Sequence, residues 1–309
     1  MSRQGPNGSC DEGVAVHEPE LDPPFDVVEP VDLACPLVFS SPHSGSVYPR
    51  RFLDSARLDA TALRRSEDAF VDELFGGVCS LGAPLIRARF PRAYLDLNRE
   101  AYELDPRMFD GRLPGFANTR SVRVAGGLGT IARVVGEAQE IYAGRLSVTE
   151  ALARIERLYK PYHACLRALL ERAQRQFGIA VLVDCHSMPS MPTASLGTDK
   201  RVATDFVVGD RYGTSSAVNL VEGLERAMRA RSYVVQRNKP YAGGYITEHY
   251  GTPQSGIHAI QIEINRALYM DERQLVRLER FGKVAADITE IAGELAAFAG
   301  GYELKAAAE

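Results

Sequence analysis

Six histidines are spread through the 309 residues, and two of them stand where apolar runs end. His43 follows "LVFSSP" and His186 closes "AVLVDC". Glu263 lies near the end of a third run, "HAIQIEIN", and Asn98 and Arg99 follow "AYLDL". Open α/β sheets bind ligands beyond the carboxyl ends of their strands, so folding is expected to gather these side chains. Two histidines and one carboxylate can hold Zn²⁺ and leave a fourth position for water. A carboxylate inside "IQIEINR" is costly to bury unless it is paired or used. Its use would be as a general base toward metal-activated water; the structural alternative is an ion pair with Arg266 or another arginine.

The third ligand is sought in "RRSEDAFVDELF" (64–75), where Glu67 and Asp68 are both candidates. Ser66 reads as a helix N-cap, with the two acids in the first turn and Phe70, Val71, Leu74 and Phe75 on the buried side. Acids at that place also complement a helix dipole without any metal. His43 sits in turn-forming "SPHSG" and could instead serve the backbone. His258 opens a strand and is expected to make a local hydrogen bond. His249 has a weaker case, and His163, mid-helix, and His17, near the start, are not expected to ligate. Cys185 precedes His186, but neighbours on a strand face opposite ways, so a thiol–imidazole pair is not expected. "GGLGT" (126–130) has no following lysine and is not a phosphate-binding loop.

Positioning these groups falls to apolar runs alternating with amphipathic segments. Strands are expected at 35–41, 83–89, 92–98, 178–185, 204–210, 232–237 and 258–265. Apolar residues at helical spacing predict helices over 150–177, kinked at Pro161, and over 272–298. Long helices between apolar strands argue a mainly parallel or mixed sheet covered on both faces. No low-complexity linker divides the chain, so one domain is expected over 26–300, between a loose lead-in (1–25) and a tail (301–309).

A formal net charge of −4, with basic residues scattered, gives no general attraction to nucleic acid or an anionic membrane. No run of some 18 apolar residues is present, and the first residues lack the apolar core of a secretory signal. The five cysteines are dispersed with no CxxC, which fits a reducing cytoplasm.

Seven blocks, "SPHSGSVYP" (41–49), "EDAFVDELF" (67–75), "RAYLDLNRE" (92–100), "VDCHSMPS" (183–190), "DFVVGDRYGTSS" (205–216), "YAGGYITEHYG" (241–251) and "IQIEINRALYMDE" (260–272), resemble, in order, the N-formylglutamate amidohydrolase family. That family is similar in site plan to zinc carboxypeptidases and aspartoacylase-type deacylases. The resemblance implies an α/β fold: a three-layer α/β/α sandwich with a central mixed sheet, zinc-carboxypeptidase-like (phosphorylase/hydrolase-like). It implies one divalent ion, Zn²⁺ or another, held by His43, Asp68 and His186, with Glu67 as the alternate carboxylate. It makes Glu263 the base and Arg99 its electrostatic helper. Asn98 and Arg99, then Arg211 and Arg266, become the clamps for substrate carboxylates, and Tyr245 a residue that closes over the substrate. For Arg211 and Arg266 the alternative is structural ion pairing, and for Tyr245 core packing. Ala69 stands where the pattern has an aromatic residue, which would widen the pocket. The implied partner is a small N-acyl amino acid, N-formyl-L-glutamate, cleaved to glutamate and formate in histidine degradation. Other N-acyl amino acids on the same site, or a catalytically silent binding protein, are the alternatives.

Overall fold

The computed structural model describes residues 18–190 and 204–306, so His17 lies outside the described residues. Its centre is one seven-stranded sheet. The strands are β1 (Phe25–Val28), β2 (Leu37–Ser41), β3 (Leu85–Ala88), β4 (Ala180–Met188), β5 (Phe206–Gly209), β6 (Val235–Arg237) and β7 (Ile257–Asn265). Their spatial order is β1-β3-β2-β4-β7-β5-β6. β7 lies parallel to β4 and antiparallel to β5, and the edge strand β1 runs antiparallel to β3, so the sheet is mixed as expected.

Every residue of β4 is buried; its apolar first half, Ala180–Val183, is what a strand covered on both faces requires, and Asp184, His186 and Ser187 are buried with it. Leu182 and Ala259 point into one core, and Val183, Cys185, Ile260 and Ile262 into the other. The relevant helices are α1 (Val71–Leu74), α2 (Lys160–Phe177), α3 (Val218–Ala230), α4 (Tyr245–Tyr250) and α5 (Phe281–Ala306). α2 covers the first face through Tyr162, Leu166 and Leu169; α3 and α5 cover the second through Leu220, Leu224, Ile288 and Ile291. The result is three layers. Among the described residues no helix is long and apolar enough to cross a membrane.

Three local expectations are corrected. Residues 92–98 form turns, not a strand: Tyr94, Leu95 and Leu97 are buried while Asp96 and Asn98 make side-chain bonds within the site. Ser66 is no N-cap; its hydroxyl donates to the Leu63 carbonyl, and α1 begins only after Phe70, in the left-handed region at φ 66°. The last helix starts at Phe281, because residues 270–277 pair as a short hairpin, Met270–Asp271 with Val276–Arg277. The irregularity near Pro161 is a π-helical turn, Ile155–Tyr159, leading into α2. From Glu18 the expected lead-in is docked: Leu21 is buried and Arg89 donates to the Pro23 carbonyl at 2.6 Å. At the other end α5 runs into the expected tail, of which residues 307–309 lie outside the described residues.

Candidate metal centre

β2 ends in Ser41, and the turn that follows delivers His43 to the sheet's edge. On β4, Asp184 and His186 are two apart and share a face, while Cys185 turns into the opposite core. Burial pushes the Cys185 thiol well up, which leaves it inert. The backbone N–H of Asp68 donates to the His43 carbonyl at 3.0 Å, fixing the loop before α1 against the turn after β2.

His43, Asp68 and His186 converge, all three buried, and their candidate ligand atoms lie within 4.8 Å of one another. Asp68 Oδ2 is 3.0 Å from His186 Nδ1 and 3.5 Å from His43 Nδ1. Each ring turns its other nitrogen outward to a carboxylate, His43 Nε2 to Asp96 at 2.7 Å and His186 Nε2 to Asp184 at 2.9 Å. A proton on each Nε2 leaves both Nδ1 lone pairs facing Asp68, the arrangement that orients metal-ligating histidines. His43 Nδ1 is buried with no hydrogen-bond partner. A buried ring nitrogen left so is costly, and a cation among these three side chains would satisfy it. The donor set, two imidazoles and one carboxylate, suits Zn²⁺ with an open position. The residues present therefore fit a divalent ion.

Glu67 points elsewhere. Its carboxylate accepts from Tyr48 Oη at 2.6 Å and from Arg64 Nε at 3.1 Å. Asp68 is held from behind instead, by Ser187 Oγ and by Arg266, each 3.2 Å from Oδ1. Arg266 also donates to Ser187 Oγ and to the Glu67 carbonyl. Burial alone would raise the Asp68 carboxyl, but the hydrogen bond with His186 and the charge of the two imidazoles hold it well below the carboxylate range. Burial likewise opposes a proton on His186, yet Asp184 and Asp68 raise its pKa well above the usual histidine range.

Glu263 occupies the β7 position paired with His186 of β4. Burial pushes its carboxyl up to about 7, against the opposing pull of His186 and with the help of Asp68. Gln261 Nε2 donates to it at 2.9 Å.

Two cavity lobes meet at this centre. One, of about 280 Å³, is lined by His43 and His186 and by three arginines, Arg92, Arg99 and Arg123. The other, of about 580 Å³, reaches past Asp68 and Ser187 to the 126–138 segment. Arg92, Tyr241 and Glu263 line both.

The expected site residues divide into three groups. His43, Asp68, His186, Glu263 and Arg99 meet. Arg99 lines the smaller lobe and spends its hydrogen bonds on backbone carbonyls, Leu128 at 3.0 Å and Asn98 at 2.9 Å. Asn98 and Arg266 lie at the centre but are bonded within the protein. The Asn98 carboxamide donates to Asp184 at 3.2 Å and accepts from the Ile246 N–H at 2.7 Å. Arg211 and Tyr245 stand apart: Arg211 pairs with Glu248 at 2.8 Å, and the Tyr245 hydroxyl lies 3.3 Å from His249. Ala69 packs in the second core. His163 bonds Tyr250 and the Leu97 carbonyl, and His258 accepts from the Ala217 N–H. Sequence reasoning missed Arg92, Arg123, Asp96 and Asp184. Of these, Asp184 was findable, since period 2 puts it on the face of His186.

Residues 35–270 match the family model for N-formylglutamate amidohydrolase. N-formylglutamate deformylases of Pseudomonas putida and Pseudomonas aeruginosa are each 28% identical, over 250 and 241 residues, covering 77% of this chain and 83% of theirs. The crystal structure of an N-formylglutamate amidohydrolase from Ralstonia eutropha JMP134 matches with a TM-score of 0.83 at 38% identity, over 89% of this chain and 98% of that one. The gene product Atu2144 of Agrobacterium tumefaciens, at TM-score 0.60 and 17% identity, shares the fold. A mixed-sheet sandwich whose strand ends bring two histidines, an aspartate and a buried glutamate together is thus found in a chain that belongs to the N-formylglutamate amidohydrolase family of amide-bond hydrolases.

Proposed function

We infer that this protein is a metal-dependent deformylase that hydrolyses N-formyl-L-glutamate to L-glutamate and formate. The observation that carries the reading is the convergence of His43, Asp68 and His186, with an unpartnered buried His43 nitrogen, beside a buried glutamate and an arginine-lined cavity. A divalent ion bound by the three side chains supplies Lewis-acid activation of water and of the formyl carbonyl.

The chain's own groups do the rest. Glu263, poised near neutrality by burial, takes a proton from the attacking water and later delivers it to the leaving amine. Asp96 and Asp184 keep the two imidazoles in the tautomer that turns Nδ1 inward. Arg99 and Arg123 offer positive charge to the two carboxylates of the substrate, and Arg92, at the junction of the lobes, faces the developing negative charge. Arg266 acts on the substrate only through Asp68, whose carboxylate it orients. The product amino acid and formate place the enzyme in amino-acid catabolism, the degradation of histidine being the route that this substrate implies.

Formate release from N-formyl-L-glutamate, measured with the metal content of the same preparation, tests the reading. Activity that disappears with a chelator and returns with Zn²⁺ is expected. Turnover unaffected by complete metal removal would overturn the metal-dependent mechanism.

A further inference from the structure

A formyl group carries only hydrogen on its carbonyl carbon, yet the larger lobe beside the metal triad has a volume of about 580 Å³. Cavities of roughly 300–1,000 Å³ hold whole drug-sized ligands. The two lobes differ in chemistry. In the smaller one three arginines face a single carboxylate, that of Glu263. In the larger one Arg65, Arg92 and Arg266 are balanced by Asp68, Asp96 and Glu263. Ion pairs run behind both lobes: Arg92 to Asp96 at 2.9 Å, Arg266 to Asp68 at 3.2 Å, and, more loosely, Arg99 to Asp96 and Arg123 to Glu103, each at 3.8 Å. Among the groups that line each lobe, arginines outnumber carboxylates in the smaller one and not in the larger, so a dicarboxylate is better matched by the smaller lobe.

The larger lobe also has an apolar part to its lining. It is built by Ala93, Leu128, Ala132, Val134, Val135 and Pro189. Ala132, Val134 and Val135 are buried, while Leu128 is 45% exposed. Glu263 and Tyr241 line both lobes, so an amide held at the junction has its amino-acid half on the arginine side and its acyl half against this wall.

Resting on the deformylase reading, we propose that the larger lobe is an acyl pocket, and that the enzyme also hydrolyses N-acyl-L-glutamates carrying aliphatic chains of several carbons. Water adds its oxygen to the acyl carbon and gives one proton to Glu263; the C–N bond breaks as Glu263 passes that proton to the leaving nitrogen, and the second proton leaves the new carboxyl group for the amine, so Glu263 ends as it began. The products are glutamate and the free fatty acid.

The test compares N-acetyl-, N-butyryl- and N-hexanoyl-L-glutamate, which share one amide reactivity, alongside N-formyl-L-glutamate, by release of glutamate from the Zn²⁺-loaded protein. Each methylene seated on apolar wall raises kcat/KM about fourfold, so the hexanoyl compound should exceed the acetyl one by at least about tenfold. Leu128→Trp, which adds bulk to the lining of this lobe, should shrink that ratio. Calorimetric titration into Glu263→Gln should rank the same compounds in the same order. A ratio that falls from acetyl to hexanoyl while the formyl compound is still cleaved would overturn the acyl pocket alone. Faster cleavage of N-formyl-L-leucine than of N-hexanoyl-L-glutamate would reverse the two lobes and overturn it too. If none of the four glutamates is cleaved, the deformylase reading falls first and takes the pocket with it.

Discussion

Replacing Glu263 by glutamine should inactivate the enzyme and stabilise its metal-free form. In the folded chain burial moves this carboxyl from an ordinary 4.5 to about 7. Because the folded value is the higher one, the native state binds the proton more tightly, and stability is lost as pH rises between those two values. Above pH 7 the buried anion costs about 3 kcal/mol, at about 1.4 kcal/mol per pH unit. A neutral glutamine carries no such cost, and it can still accept the bond that Gln261 Nε2 makes at 2.9 Å. Glu263→Gln should therefore match the parent in denaturant midpoint near pH 4.5 and exceed it by up to about 3 kcal/mol at pH 8.5, both proteins being held in chelator. With about 2.1 cal/mol/K of unfolding entropy per residue, that gain is roughly 5 °C in Tm. The same variant, reloaded with metal, should lose roughly 10²–10⁴ in kcat with metal content unchanged. A stability change independent of pH, or of the opposite sign at pH 8.5, would refute the argument that desolvation holds this proton.

Metal analysis should separate the two neighbouring acids: Asp68→Asn loses the ion, whereas Glu67→Gln keeps it and loses only stability, about 1–3 kcal/mol from the bonds to Tyr48 and Arg64. Arg123→Ala and Arg99→Ala should each raise KM for N-formyl-L-glutamate about 10- to 100-fold with a smaller effect on kcat, read from saturation curves of formate release. An added Cβ at Gly244 would collide with the Asn98 carboxamide, which braces Asp184. Gly244→Ala should accordingly weaken metal binding by about tenfold in competition with a coloured chelator.

Much of this site was legible before folding because strand ends are readable. His186 and Glu263 come from two continuous β-branched runs, and their pairing across β4 and β7 follows from the sheet those runs build. His43 was legible for the same reason, standing just past β2. What escaped depends on long-range geometry. Residues 92–98 alternate like a strand, yet the alternation records a turn segment that buries Tyr94 and Leu97 and gives Asp96 to His43. Arg123 approaches the centre from a segment whose sequence carries no periodic signal. Glu67 and Asp68 differ in the direction of two adjacent side chains off a loop, one toward Tyr48 and one toward the histidines, which no period describes. Arg211 and Tyr245 have suitable chemistry but find partners, Glu248 and His249, outside the cavity.

The pairing of Glu263 with His186 also limits how these two strands can change length. Gln261 and Glu263 share the face of Asp184 and His186, while Ile262 packs into the opposite core beside Cys185. Inserting or deleting one residue in β7 would swap the faces, sending Glu263 into the apolar layer and an isoleucine toward His186. A two-residue change would restore the face but carry the carboxylate roughly 7 Å along the strand, away from His186. Length variation that keeps Glu263 beside His186 is therefore confined to the connections.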